Sequence, residues 1–213
     1  MRKVNLALSL FVAGLFLVSC EEQQAPQEKA ETPAEETESG IADGTYELDI
    51  NNSVVEWKGT MLGVKHHTGT LNFQAGKLSI ENGAVTAGTF IVDMNSMRTT
   101  DDNYNPEEGQ TPDKLIEHLK SDDFFLTSEY PTATFVISDV SGEEAKGEMT
   151  IRGNTNDVKV SGVSVEAHGD HIHGSSTTVL DRQKYDVKFS HPLEEMVLSD
   201  DLEIKVNFTA NKN

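Results

Sequence analysis

The chain has 213 residues, with 36 Asp and Glu against 17 Lys and Arg, for a formal net charge of -19. Such a surface repels the phosphates of nucleic acids and of anionic lipid headgroups, which excludes a nucleic-acid partner and purely electrostatic attachment to a membrane. A single cysteine, Cys20, leaves no internal disulfide and no thiolate metal cluster, so packing and hydrogen bonds must hold the fold.

Met1-Arg2-Lys3 is a short basic start, and residues 6–18 are an almost unbroken apolar run. The run is shorter than the roughly 20 residues that span a bilayer. It reads as the core of a signal peptide over residues 1–19. The closing Leu17-Val18-Ser19-Cys20 resembles a bacterial lipobox. That resemblance implies a lipoprotein: Cys20 receives a diacylglycerol, the leader is removed, and the new amino terminus is acylated, for example with palmitate. The expected location is the bacterial cell envelope, on the periplasmic face or the cell surface.

Residues 21–40 hold seven Glu, one Lys, two Pro, three Gln and no aromatic residue. They cannot bury enough apolar surface to offset chain entropy. Residues 20–44 therefore read as the lipidated cysteine followed by a disordered acidic linker. Its reach is on the order of 25 Å by coil scaling.

Residues 45–213 read as one domain of strands. Val55, Trp57 and Gly59 alternate with polar neighbours, as do Gly69, Leu71, Phe73 and Ala75. Ala75-Gly76 predicts a turn before Leu78 and Ile80. Asn82-Gly83 is a hairpin signal leading into Phe90, Val92 and Met94. Ala133, Phe135 and Ile137, then Met149 and Ile151, continue the period. Val158 and Val160 share one parity, while Val163, Val165 and Ala167 take the other. Gly162 at the switch predicts a β-bulge. Leu202, Ile204, Val206, Phe208 and Ala210 give five period-2 positions in a row, as half-buried antiparallel strands do.

One helix is expected, with Thr111 as N-cap, Pro112 at the first position, Asp113 at the positive end of the dipole, and an end near Lys120. Residues 95–110 before it read as a long loop. The fold class is thus all-β: a lipocalin-like antiparallel β-barrel of about eight strands with one short inserted α-helix. Closure removes exposed sheet edges.

The stretch His118-Leu119-Lys120-Ser121-Asp122-Asp123-Phe124-Phe125, then Tyr130-Pro131-Thr132-Ala133-Thr134-Phe135, resembles the central signature of the YceI-like family of polyisoprenoid-binding proteins. Ser53-Val54-Val55-Glu56-Trp57, Gly147-Glu148-Met149-Thr150-Ile151-Arg152-Gly153 and Asp181-Arg182-Gln183-Lys184-Tyr185 match in order. The resemblance covers about residues 46–210. It implies a barrel around an apolar channel that holds a polyprenyl chain, a secreted location, and often a homodimer. Asp186 stands where the family usually carries a glycine, which bears on the local turn geometry.

An isoprenoid chain gains about 0.8 kcal/mol per carbon removed from water, so such a site needs apolar walls more than exact polar contacts. Trp57, Phe73, Phe90, Phe124, Phe125 and Phe135 are the candidate wall or lid residues, with core filling as the alternative for each. Arg182 and Tyr185 are candidates for a headgroup contact or for a structural pair. No cofactor is required, and a bound isoprenoid lipid is the expected partner. Catalysis is not expected: there is no Gly-x-Ser-x-Gly elbow, phosphate loop or His-Glu-x-x-His pair. His168, His171 and His173 lie across an expected hairpin tip beside Asp170, with His66-His67 expected near a barrel mouth. These residue types suit zinc or copper, against the alternative of a solvated polar turn. A barrel packed solid, serving as an interaction domain, is the remaining reading.

Overall fold

In the computed structural model of the chain, residues 40–62, 65–190 and 197–213 are described. The expected signal peptide, Cys20 and the linker up to residue 39 lie outside the described residues. Nine strands follow in order: β1 Gly44–Leu48, β2 Val54–Met61, β3 Lys65–Glu81, β4 Ala84–Thr99, β5 Thr132–Ser141, β6 Glu144–Ile151, β7 Asn154–His168, β8 His171–Asp181 and β9 Leu198–Lys212. The helix α1 spans Pro112–Lys120.

Every pairing is antiparallel, and the sheet closes because β3 pairs with β4 on one side and β2 on the other. β1 and β2 both lie between β3 and β9. They form one stave, interrupted at Ile50–Asn52 by a 3-10 turn that Asp49 caps. The result is an eight-stave closed barrel with one helix, the lipocalin-like class that the alternation implied.

Local chemistry sets the connections. Asn82 and Gly83 both take positive φ, 54° and 71°, as a two-residue type I′ hairpin requires. Around Gly162, φ 61°, β7 gains one residue on β8 between Ser161 and Ser164. That bulge returns Val165 to the side of Val158, and both pack against the core. At α1 the Thr111 hydroxyl accepts from the Lys114 amide at 3.3 Å. Ile116 and Leu119 pack against the core cluster.

Two expectations fail. Ala75-Gly76 is not a turn: β3 runs straight through it, with one extra residue opposite β4 between Phe73 and Ala75. A bulge shifts side-chain parity as a turn does, without ending the strand. Residues 95–99 are not loop either. β4 continues to Thr99, carrying extra residues between Asp93 and Arg98, which pair with Asn72 and Thr70 of β3, and the buried Met94 and Met97 lie there.

The core is uneven along the barrel axis. At the end where β3 meets β4 by the hairpin, Tyr46, Leu78, Ile80, Ile172 and Ala210 pack to near-zero exposure. Above them Phe73, Phe90 and Phe208 form a ring cluster with centroids 5.9 and 5.6 Å apart. Toward the opposite end the barrel is hollow.

Candidate functional site

The hollow is a cavity of about 590 Å³, within the range of small-molecule and lipid sites. All eight staves line it, through residues such as Trp57, Leu71, Met94, Met149, Leu180 and Ile204. Trp57, Phe73, Phe90, Phe124, Phe125 and Phe135 all line it, so the structure brings the six sequence-selected aromatics onto one surface.

Why these rings leave space is a matter of what they lie on. Trp57 of β2 faces Gly69 of β3 in register. A Cβ on Gly69 would stand 2.3 Å from the indole and 1.9 Å from the Arg98 carbonyl oxygen. Phe135 lies over Gly147, its diagonal neighbour on β6, 2.7 Å from the position a Cβ would take. Glycine gives each ring a flat seat against the wall, so the ring covers backbone instead of crossing the lumen.

A roof of aromatics follows α1. His118 meets Phe124 and Phe189 edge-on, with centroids 5.0 and 4.8 Å away, and Phe124 packs on Phe189 at 4.9 Å. Phe189 also lines the cavity, and sequence reasoning missed it, although Tyr185, Val187 and Phe189 alternate with Lys184, Asp186 and Lys188. Arg152 fixes this roof. Its guanidinium donates to the carbonyls of Asp122, Phe124 and Asp186 at 2.7 to 2.9 Å.

The cavity reaches solvent at the end where β2 stops and β3 and β9 begin. Lys65, His67, Tyr104, Gln110 and Lys114 line that rim, and Gln110 and Lys114 are exposed. Here the loop after β4 is tied to β3. His67 Nδ1 lies 3.0 Å from Asp101 Oδ1, and the Thr68 amide donates to Asp101 Oδ2 at 2.9 Å. The His67 ring stacks on Tyr104 at 4.9 Å. Burial pushes the Asp101 carboxyl up, but bonds from the Thr68 amide, the His67 ring and the Asn103 amide outweigh it and hold it below its ordinary value. An ionised carboxylate only accepts, so Nδ1 of His67 carries the proton.

Arg182 also borders the cavity, with 9% of its side chain exposed. Its Nε donates to the Ser199 carbonyl, one terminal nitrogen to those of Val187 and Phe189, and the other to the Leu198 carbonyl and Asp200. Five N–H donors meet five acceptors, so the geometry favours the structural role over a headgroup contact. Tyr185 is buried beside it and does not line the cavity. Burial, with the Asp181 charge, pushes its phenol up to about 12. Asp186 makes the turn with φ 60° and ψ 22°, a left-handed conformation that aspartate tolerates better than most residues.

The three turn histidines do cluster. His168, His171 and His173 have ring centroids 4.7 to 6.0 Å apart at the β7–β8 hairpin. They sit at the solid end, since His171 pairs with Asn211 near the end of β9, while His66 and His67 are at the rim. Nδ1 of His173 is engaged by the Thr209 hydroxyl at 2.9 Å, and Nδ1 of His171 faces Asp170 at 3.2 Å. Among the described residues, no group of three or more His, Cys, Asp and Glu is arranged to hold a metal ion.

Comparison with known proteins agrees with this architecture. Residues 46–210 match the YceI-like domain family. A UPF0312 protein of Staphylococcus aureus is 41% identical over 83 residues, covering 36% of this chain and 48% of that protein. One from Staphylococcus epidermidis is 34% identical over a similar span. The chain thus spans about half the length of the curated relatives it matches. Among solved structures, Burkholderia cenocepacia BcnA superposes with a TM-score of 0.62 at 20% identity, over 77% of this chain and 99% of that one. A polyisoprenoid binding domain from Saccharophagus degradans superposes with 0.54 at 14% identity, over 81% of this chain and all of that one.

Proposed function

The chain belongs to the YceI-like family, and we propose that it is an envelope lipoprotein whose barrel encloses one long apolar lipid of the polyisoprenoid type, as carrier or sensor. The observation that carries this is the lined cavity. A volume of about 590 Å³, walled by the six sequence-selected aromatics, by Phe189 and by apolar side chains from every stave, favours an apolar chain over any small polar substrate. Each carbon buried there contributes about 0.8 kcal/mol, so three or four isoprene units outweigh any single polar contact. The similarity in fold to a domain described as polyisoprenoid binding supports the same class of ligand.

Trp57 is the only tryptophan in the chain and lines the cavity, so its emission reports on occupancy. Titration of the purified full chain with a C20 polyprenol is expected to shift that emission saturably at one equivalent. An emission that stays constant through excess polyprenol would count against the reading.

Acylation of Cys20 would supply the location. A lipid binder held beside a bilayer meets its ligand at raised effective concentration. Cys20→Ser is expected to move the protein from the membrane to the soluble fraction, with polyprenol binding retained. A variant that stays in the membrane fraction would remove the anchor from this account.

A further inference from the structure

The charged groups of the rim do not follow the rest of the molecule. The chain carries 36 acidic residues against 17 basic ones. Yet the cavity is bordered by Lys65, Lys114 and Arg182 and by a single carboxylate, Asp201. Arg182 has its donors filled. The two lysines do not: among the described residues neither Lys65 nor Lys114 has a carboxylate within 4.0 Å, as is also the case for Lys77, Lys120, Lys184 and Lys212, whereas Lys58 and Lys159 on the outer wall each hold one.

The two ammonium groups also converge. Lys65 Nζ donates to Gln110 Oε1 at 2.9 Å and approaches the Asn103 carbonyl at 3.5 Å. Lys114 Nζ lies over Gly109, 3.0 Å from where a Cβ would stand. They therefore bracket the same two-residue segment, Gly109-Gln110, at the open end of an apolar tube. Lys65 is half-buried and meets only neutral acceptors there. A cation beside apolar walls with no counter-ion is poorly compensated, and an anion delivered by the ligand supplies what the protein lacks.

Resting on the lipid reading of the cavity, we infer that the ligand is an anionic amphiphile. Its apolar chain enters the barrel, and its phosphate or carboxylate head stays at the rim between Lys65 and Lys114. The otherwise acidic surface repels free anions and leaves this rim as the place where one is held.

The test uses chain-matched pairs and calorimetry on the purified full chain. Geranylgeranyl monophosphate is compared with geranylgeraniol, and palmitate with hexadecanol. The anion of at least one pair is expected to bind about tenfold tighter at low salt, with the margin shrinking as salt rises. A margin for the phosphate alone assigns a phosphorylated isoprenoid, and a margin for both pairs assigns an anionic head in general. The double variant K65M/K114M is expected to bind anion and alcohol alike, while K65R/K114R keeps the margin. Equal affinities in the parent chain overturn the inference and leave the lipid reading intact, as does a margin that survives K65M/K114M. Binding of none of the four probes overturns both.

Discussion

Arg182 and Tyr185 sit three positions apart in one motif and do different work. The arginine divides its five donors between Val187 and Phe189, which lie between β8 and β9, and Leu198, Ser199 and Asp200 at the start of β9, while the tyrosine is fixed by burial. The pairing was visible in the sequence; the distribution of roles was not, because Arg182's acceptors are mostly backbone carbonyls, which no side-chain pattern announces. His66-His67 were expected near a barrel mouth, but Lys65 and Lys114 were illegible as a rim, because their common partner is the loop after β4, 45 residues away along the chain for Lys65. Tyr185 gives a direct check. Its neutral phenol is favoured in the fold, with the folded value raised to about 12 against about 10 unfolded. That stability is complete below about pH 10 and is lost as pH rises toward 12. Chemical denaturation across that window is expected to show a decline that Tyr185→Phe flattens. An identical decline in the variant would refute the assignment.

At the level of elements, a glycine across the strand gives an aromatic a flat seat, both for Trp57, which lines the cavity, and for Phe208, which sits on Gly174 in the packed ring cluster. Period-2 alternation places Trp57 and Phe135 on the inner face but cannot tell the two outcomes apart. The glycine seats of these two rings, Gly69 and Gly147, lie on the neighbouring strands, and only the paired structure reveals them. Gly69→Ala is expected to cost about 2–3 kcal/mol, since both the Arg98 carbonyl and the indole must move. Gly59 lines the same cavity with nothing within 4 Å of a Cβ, so Gly59→Ala should stay within about 0.5 kcal/mol of the parent. Equal losses measured by denaturation would contradict the seating argument. Bulges divide in the same way. The one at Gly162 was legible because the parity switch and the glycine coincide within one apolar run. The one between Phe73 and Ala75 was not, because Ala75-Gly76 carries the same composition as a turn. In β4, extra residues near Met94 and Met97 erased the alternation and made a strand end look like loop.

For the molecule as a whole, strand alternation and the requirement for closure were enough to reach the barrel, and the signature motifs to reach the family. Neither predicted that the barrel is solid at the hairpin end and hollow at the other. Closure also makes the ligand's environment collective: every stave contributes wall, so no single aromatic is expected to carry binding alone. The central claim is that this hollow holds a long apolar lipid. Native mass spectrometry of the full chain purified from bacterial membranes tests it most directly. A population carrying one lipid-sized mass is expected, with uptake of one added polyprenol by any empty fraction. A spectrum of unliganded protein that stays unliganded after polyprenol is added would contradict it.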